Sequence, residues 1–248
     1  MKKVMMTIFT CSAMLLSHLA IAEDSPHEFS ANVALATDYM YRGGSQTDEQ
    51  PAISGGFDYA HSSGFYAGVW ASNVDFQDIG LPSSNIEIDY YGGVAGEFSN
   101  GVSWDIGGLY YHYAGTKDAE EVAFGGDADF AEAYGSLGYT YSDVQLEPAV
   151  EVFFAWSPDY FGEIGDSYYT AVDLGLSLPY GISLTGQVGF QEFDRAGVTD
   201  YSHYSVGLSK DVAIFTLDVT WYDSIDDADT FWGAGFEEAI VFTVSASF

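Results

Sequence analysis

An antiparallel transmembrane β-barrel of about twelve strands is the fold this sequence predicts, on three observations. Apolar and polar residues alternate with period 2 over segments of about 9 to 12 residues, the length a tilted strand needs to cross a bilayer. Five short polar turns alternate with six longer polar or acidic stretches. The composition, with 28 glycines, 17% aromatic residues and six prolines, suits strands with an aromatic surface and tight turns.

The chain begins with Lys2 and Lys3, a mostly apolar stretch from Val4 to Leu19 and a small-x-small site at Ala20-Ile21-Ala22. This reads as a cleaved secretory signal peptide, residues 1–22. Its apolar run is interrupted by Thr7, Thr10, Ser12, Ser17 and His18, and no later run approaches the roughly 20 residues of a membrane helix. Cys11, the one cysteine, lies inside the leader, so the mature chain is expected to be held by backbone pairing and packing alone. A strand-built span meets that demand, because closing a sheet pairs every backbone N–H and C=O without an edge.

After the leader only Arg42, Lys117, Arg195 and Lys210 oppose 37 acidic residues, a formal charge of −33. That balance excludes nucleic acid as a partner, since phosphate neutralisation needs Lys and Arg. The aromatic content excludes disorder.

A short periplasmic segment, residues 23–29, leads into a barrel over residues 30–248. Turns are expected near Ser63-Gly64, Asn100-Gly101, Ser142-Asp143, Tyr180-Gly181 and Lys210-Asp211. The face pattern sets lipid-facing apolar residues against lumen-facing polar ones. In the first strand Ala31, Val33, Leu35, Thr37, Tyr39 and Tyr41 oppose Asn32, Asp38 and Arg42. Ile53, Phe57 and Tyr59 oppose Ser54 and Asp58; Ile86, Ile88, Tyr90 and Val94 oppose Glu87 and Asp89. Val144, Leu146, Val150, Val152 and Phe154 oppose Glu147 and Glu151, with Pro148 marking a bulge on the apolar face. Thr170, Val172, Leu174 and Leu176 oppose Asp173, and Phe215, Leu217, Val219 and Trp221 oppose Asp218. With Asp105 and Glu132, ten mid-strand acids fall on the polar parity, an outcome that random parity gives roughly once in a thousand trials. The segment Phe65 to Phe76 is apolar on both faces and leaves its parity open.

The last segment, VFTVSASF, places Phe248, Ala246, Val244 and Phe242 on one face and ends on Phe. It resembles the terminal signal by which bacterial outer-membrane barrels are recognised by their assembly machinery. Phe248 also fits an aromatic girdle at the periplasmic interface.

The stretch SANVALATDYMYRGGSQTDEQPAISGGFDYAHSSGFYAGVWASNVDF, followed by EIDYYGGVAGE, GLYYHYAG and SPDYFG, resembles the TorF-type putative porin family of proteobacteria. Gly44 and Ala114 depart from its pattern, both in loops. The resemblance implies an outer-membrane channel or transporter in a Gram-negative bacterium, with the bilayer, lipopolysaccharide and small solutes as partners and no cofactor. It does not supply a substrate.

Twelve strands spaced about 4.8 Å and tilted about 40° make a backbone cylinder roughly 24 Å across, with on the order of 10 Å left inside. The expected lining is Asp38, Asp58, Glu87, Asp89, Asp105, Glu132, Glu147, Glu151, Asp173 and Asp218, with Arg42 as counter-ion or as a contact for an anionic or zwitterionic solute. Rings of acids attract cations and repel anions, so a passive, cation-preferring channel is the expected function. The loop from Ala114 to Asp129 is the candidate constriction.

Other groupings carry less. Asp226, Asp227 and Asp229, and Asp118, Glu120 and Glu121, lack the Asp-x-Asp-x-Asp-Gly spacing of a calcium loop and read as solvated acidic loops. Tyr110, Tyr111, His112 and Tyr113 read as a girdle rather than a stacking site. His27, His61, His112 and His203 lack a nucleophile motif, so a barrel lipase or protease is the weaker alternative, beside a structural or adhesive barrel.

Overall fold

The computed structural model describes residues 25–225 and 234–248. The leader, Cys11 and the trio Asp226, Asp227 and Asp229 lie outside the described residues. The strands are β1 (His27–Ala36), β2 (Met40–Tyr41), β3 (Gly44–Ser45), β4 (Ala52–His61), β5 (Phe65–Asn73), β6 (Ile86–Glu97), β7 (Ser103–Ala114), β8 (Phe130–Thr140), β9 (Ala149–Ser157), β10 (Ser167–Leu178), β11 (Ile182–Phe193), β12 (Tyr201–Val212), β13 (Phe215–Ile225) and β14 (Ala239–Ser247). One short helix, α1 (Asp118–Phe124), sits between β7 and β8.

Twelve of these strands, β1 and β4 to β14, pair in sequence order as an antiparallel closed barrel, as the alternation predicts. β1 closes the ring between β4 (Phe29 opposite Tyr59) and β14 (Val33 opposite Ala246). Reciprocal backbone bonds fix the seam: the Ala31 amide donates to the Phe248 carbonyl at 3.0 Å and the Phe248 amide to Ala31 at 2.8 Å. Short turns and β1's first residue share one end, where His27 pairs with His61. The long connections gather at the other.

The wall sorts residues by parity. Leu35, Ile53, Val94, Ile106, Leu137, Val152, Leu174, Leu208, Leu217, Ile240 and Phe242 all face outward and are exposed. Aromatics flank this belt: Phe29 stacks on Phe57 toward the short-turn end, and Trp156 and Trp221 donate their indole N–H to Asp166 and Glu238 toward the loop end. Such an apolar band with polar-tipped aromatics at its edges is what a bilayer selects. β5, ambiguous in the sequence, turns Tyr66 and Trp70 inward and Ala67 and Val69 outward.

Two strand assignments are corrected. β1 stops at Ala36, so Asp38 and Arg42 do not stand on it; the period-2 pattern runs on because β2 and β3 form a hairpin of their own. β9 starts at Ala149, so Val144, Leu146 and Glu147 belong to a turn over 141–148, and Pro148 ends that turn instead of bulging a strand. Leu146 (φ 70°) and Glu147 (φ 43°) are left-handed, which no ladder tolerates, and Glu147 is exposed.

The lipid-facing wall predicts that Leu174→Arg, mid-strand and 55% exposed, loses about 2–4 kcal/mol in urea unfolding from phospholipid vesicles. A water-facing wall would tolerate it with little change.

Candidate functional site: a lumen closed by the first loop

The connection between β1 and β4, residues 37–51, folds into the barrel. Tyr41 pairs with Gly44 across a two-residue turn in which Arg42 (φ 48°) and Gly43 (φ 85°) are both left-handed. That is the type I′ geometry that suits a tight hairpin, and Arg42-Gly43 tolerates it because the second position is glycine. The hairpin base is tied to itself: the Asp38 carboxylate accepts from Ser45 Oγ at 2.7 Å and Thr47 Oγ1 at 2.8 Å. Asp75, in the next loop, donates its amide to Gln46 O.

From this base the hairpin reaches across the lumen. Tyr39 packs edge-on against Trp70 of β5 at 5.3 Å and donates to Glu87 of β6 at 2.7 Å. Tyr41 meets Tyr111 of β7, hydroxyl to hydroxyl, at 3.0 Å. At the tip Arg42, 3% exposed, donates Nη2 to Glu132 of β8 at 2.7 Å and Nη1 to Gln191 of β11 at 2.9 Å. Its guanidinium lies 4.1 Å from the ring centroid of Tyr169 on β10 and 4.8 Å from that of Tyr41. Gly43 rests on His203 of β12, where a Cβ would come within 2.6 Å of His203 Cβ. Gly44, the departure noted in the sequence, has no room for a side chain because a Cβ there would lie 2.6 Å from the Phe236 ring. The hairpin thus touches seven wall strands, and removing one partner of a buried ion pair such as Arg42–Glu132 typically costs about 3–5 kcal/mol.

Aromatic residues from other loops complete the closure. Phe76 contacts Tyr113 and Phe161 at centroid distances of 5.3 and 5.7 Å, and Phe130 contacts Tyr111 at 4.2 Å and Tyr160 at 4.6 Å. Loop 114–129, the expected constriction, instead carries α1 with exposed Asp118 and sends Glu120 to Ser83. The Ser83 hydroxyl holds the Glu120 carboxyl below its usual range. Asp118, Glu120 and Glu121 form no cluster fit for a metal, nor does any other group among the described residues.

The girdle reading of 110–113 is half corrected. Tyr110 and His112 face outward and share Asp129, at 3.0 and 2.6 Å, whereas Tyr111 and Tyr113 point inward and are buried. Strand alternation splits the run in two. The other histidines have separate partners: His27 with Tyr59, His61 with Ser63, and His203 with Tyr169 at 2.9 Å. Asp200 and Asp223, acids near His203 at the loop end, bind the Phe193 amide and the Tyr204 hydroxyl.

Eight predicted acids stand on inward strand positions, and tyrosines reach several of them by lying across glycines. Tyr91 on β6 crosses Gly68 of β5 to Asp58 on β4. Tyr66 on β5 crosses Gly93, where a Cβ would sit 2.5 Å from its hydroxyl, to donate to Asp105 on β7 at 2.7 Å. Tyr134 crosses Gly107 to meet Tyr66, and Tyr169 and His203 meet over Gly189. Glu151 and Asp173 face each other in register, Asp173 taking a bond from Gln187 at 2.7 Å; Asp218 takes one from Thr220. Asp89 Oδ1 and Glu132 Oε1 are buried without a hydrogen-bond partner.

The lumen therefore has two halves. Toward the loops Tyr169, Glu87, Asp89, Gln191 and His203 are at most 2% exposed. Toward the short turns Ser183, Thr185, Gln187, Ser205, Thr243 and Ser245 stay partly or fully exposed, a water-accessible cup below the buried plug. Tyr39 and Tyr41, read with the lipid-facing residues of the first strand, are instead buried in the lumen, because they stand on the hairpin and not on β1. Tyr169 and Gln191 were not picked out from the sequence, and His203 was named only with the histidines of the enzyme alternative; the adjacent glycines after Arg42 were the one local signal of a turn.

A twelve-stranded antiparallel barrel with an apolar belt, a polar interior and long loops at one end defines a transmembrane β-barrel of porin-like fold. Solved structures share that fold: the KdgM porin at 7% identity (TM-score 0.58, over 88% of this chain and 98% of that one) and the NanC porin at 8% (TM-score 0.53, over 89% and 99%). The chain belongs to the family described as bacterial protein of unknown function (Gcw_chp), whose model matches residues 20–248. No curated protein matches it in sequence.

The buried tip predicts that trypsin added to the inserted protein leaves the Arg42–Gly43 bond intact. Gly43→Val, which clashes with His203, is expected to expose that bond, read by mass spectrometry of the fragments. Cleavage of the unaltered protein at Arg42 would contradict a seated hairpin.

Proposed function

We propose that this chain is an outer-membrane channel for small cations, held closed by its first loop. The observation that carries the reading is the division of charge inside the barrel. Asp58, Glu87, Asp89, Asp105, Glu132, Glu151, Asp173 and Asp218 are fixed to the wall. Arg42, the one Lys or Arg inside the lumen among the described residues, sits on the hairpin. Withdrawing the hairpin removes the obstruction and the positive charge together, leaving a lumen that attracts cations and repels anions.

The fold likeness to porins and the resemblance to TorF-type porins support a channel over a purely structural barrel. The same fold supports an outer-membrane location. Phe242, Val244 and Phe248 face outward while Ala246 tucks between neighbours, an arrangement compatible with recognition by the assembly machinery. The acidic external loops suit contact with lipopolysaccharide through divalent ions.

The test is conductance in a planar bilayer under a KCl gradient. The unaltered protein is expected to be closed for most of the record. A variant with residues 39–46 replaced by a short Gly-Ser linker is expected to give stable open steps with a cation-selective reversal potential. Asp58→Asn, Asp89→Asn and Asp173→Asn introduced together move that potential toward zero. A folded linker variant that conducts nothing, or equal K⁺ and Cl⁻ permeability in it, would overturn the reading.

A further inference from the structure

We propose that the cage now holding the Arg42 side chain is a binding site for guanidinium-bearing solutes, with the hairpin as its tethered occupant. The proposal deepens the channel reading and rests on it only for how the solute arrives.

The cage belongs to the wall. Glu132, Tyr169 and Gln191 come from three different strands and are 6%, 0% and 0% exposed. Each is positioned by wall residues independently of Arg42. Gln191 Nε2 donates to Tyr168 O at 3.3 Å, which turns its side-chain oxygen toward the cage. Tyr169 is set by its hydroxyl bond to His203 over Gly189. Glu132 accepts from Tyr111 at 3.1 Å. A site so constructed keeps its shape when the hairpin leaves, which lowers the ordering cost of a second occupant.

Its geometry selects a planar, forked cation. One face of the guanidinium lies over the Tyr169 ring while two of its nitrogens donate to acceptors on separate strands. A guanidinium satisfies stacking and both bonds at once, whereas a compact ammonium lacks the flat face and the fork. The cage also has acceptor capacity that Arg42 leaves unused. Glu132 Oε1 is buried and unpartnered, and Arg42 Nε itself has no acceptor. The tether holds Arg42 to two donated bonds; a free guanidinium can rotate to use more of the carboxylate oxygens. It therefore competes with the hairpin on favourable terms, and occupancy by solute and opening of the plug become linked.

Methylguanidinium and methylammonium, alike in charge and differing in the fork, test this by calorimetric titration of the refolded protein in detergent. Arg42→Ala is expected to bind methylguanidinium at least about tenfold more tightly than methylammonium. Arg42→Ala/Glu132→Gln is expected to lose that preference, and the unaltered protein to bind more weakly than Arg42→Ala because the hairpin competes. Equal or absent binding of the two cations by folded Arg42→Ala overturns the proposal. Should Arg42→Ala fail to fold, the Gly-Ser linker variant takes its place in the same titration, with the same result overturning the proposal. Selective binding without any conductance in the linker variant would leave the site standing and remove the channel; conductance without selective binding would do the reverse.

Discussion

Lipid outside the wall drives mid-strand charges toward the lumen, because a charge on the lipid face near the midplane is destabilising, by about 2–4 kcal/mol for Arg or Lys and less for Asp or Glu. With period 2 and a narrow cylinder, that constraint crowds eight of the predicted acids into one interior. The rest of the structure answers this crowding. Aliphatic residues line the outside, acids line the inside, and neutral or positive groups have to be brought to the acids from within the lumen.

Two devices do so. Where a glycine replaces a side chain on the wall, a tyrosine from the next strand lies across the gap and donates its hydroxyl to a carboxylate or a second ring, as Tyr66 does over Gly93 and Tyr91 over Gly68. Near the loops, the hairpin supplies Arg42 to Glu132 and the Tyr39 hydroxyl to Glu87. The first device is built into the barrel. The second is hung from a loop, and that difference makes one set of acids permanently neighboured and another exposable. Closure and charge compensation are then the same contact.

Much of the barrel was legible because each strand carries its own record of inside and outside. Leu174 against Asp173, or Ile88 against Asp89, needs no knowledge of any other strand. The same local rule misled where its period continued past a strand's end, at Asp38 and Arg42 and again at Val144, Leu146 and Glu147. Periodicity reports alternation and says nothing about pairing, so a hairpin inside a barrel reads like the strand it follows. It also failed at Tyr110 to Tyr113, where both faces are aromatic. The cage of Glu132, Tyr169 and Gln191 was out of reach for another reason: its members meet only through the register of β8 to β12, set by dozens of backbone bonds far apart in sequence.

The central claim, that the seated hairpin closes the barrel, is tested most directly by locking it. A Cβ on Gly43 would lie 2.6 Å from His203 Cβ, so cysteines at both positions bond after backing off by about 1 Å. Single-channel current of Gly43→Cys/His203→Cys should be silent when oxidised and show openings after reduction. Equal current in the oxidised and reduced protein would contradict the account.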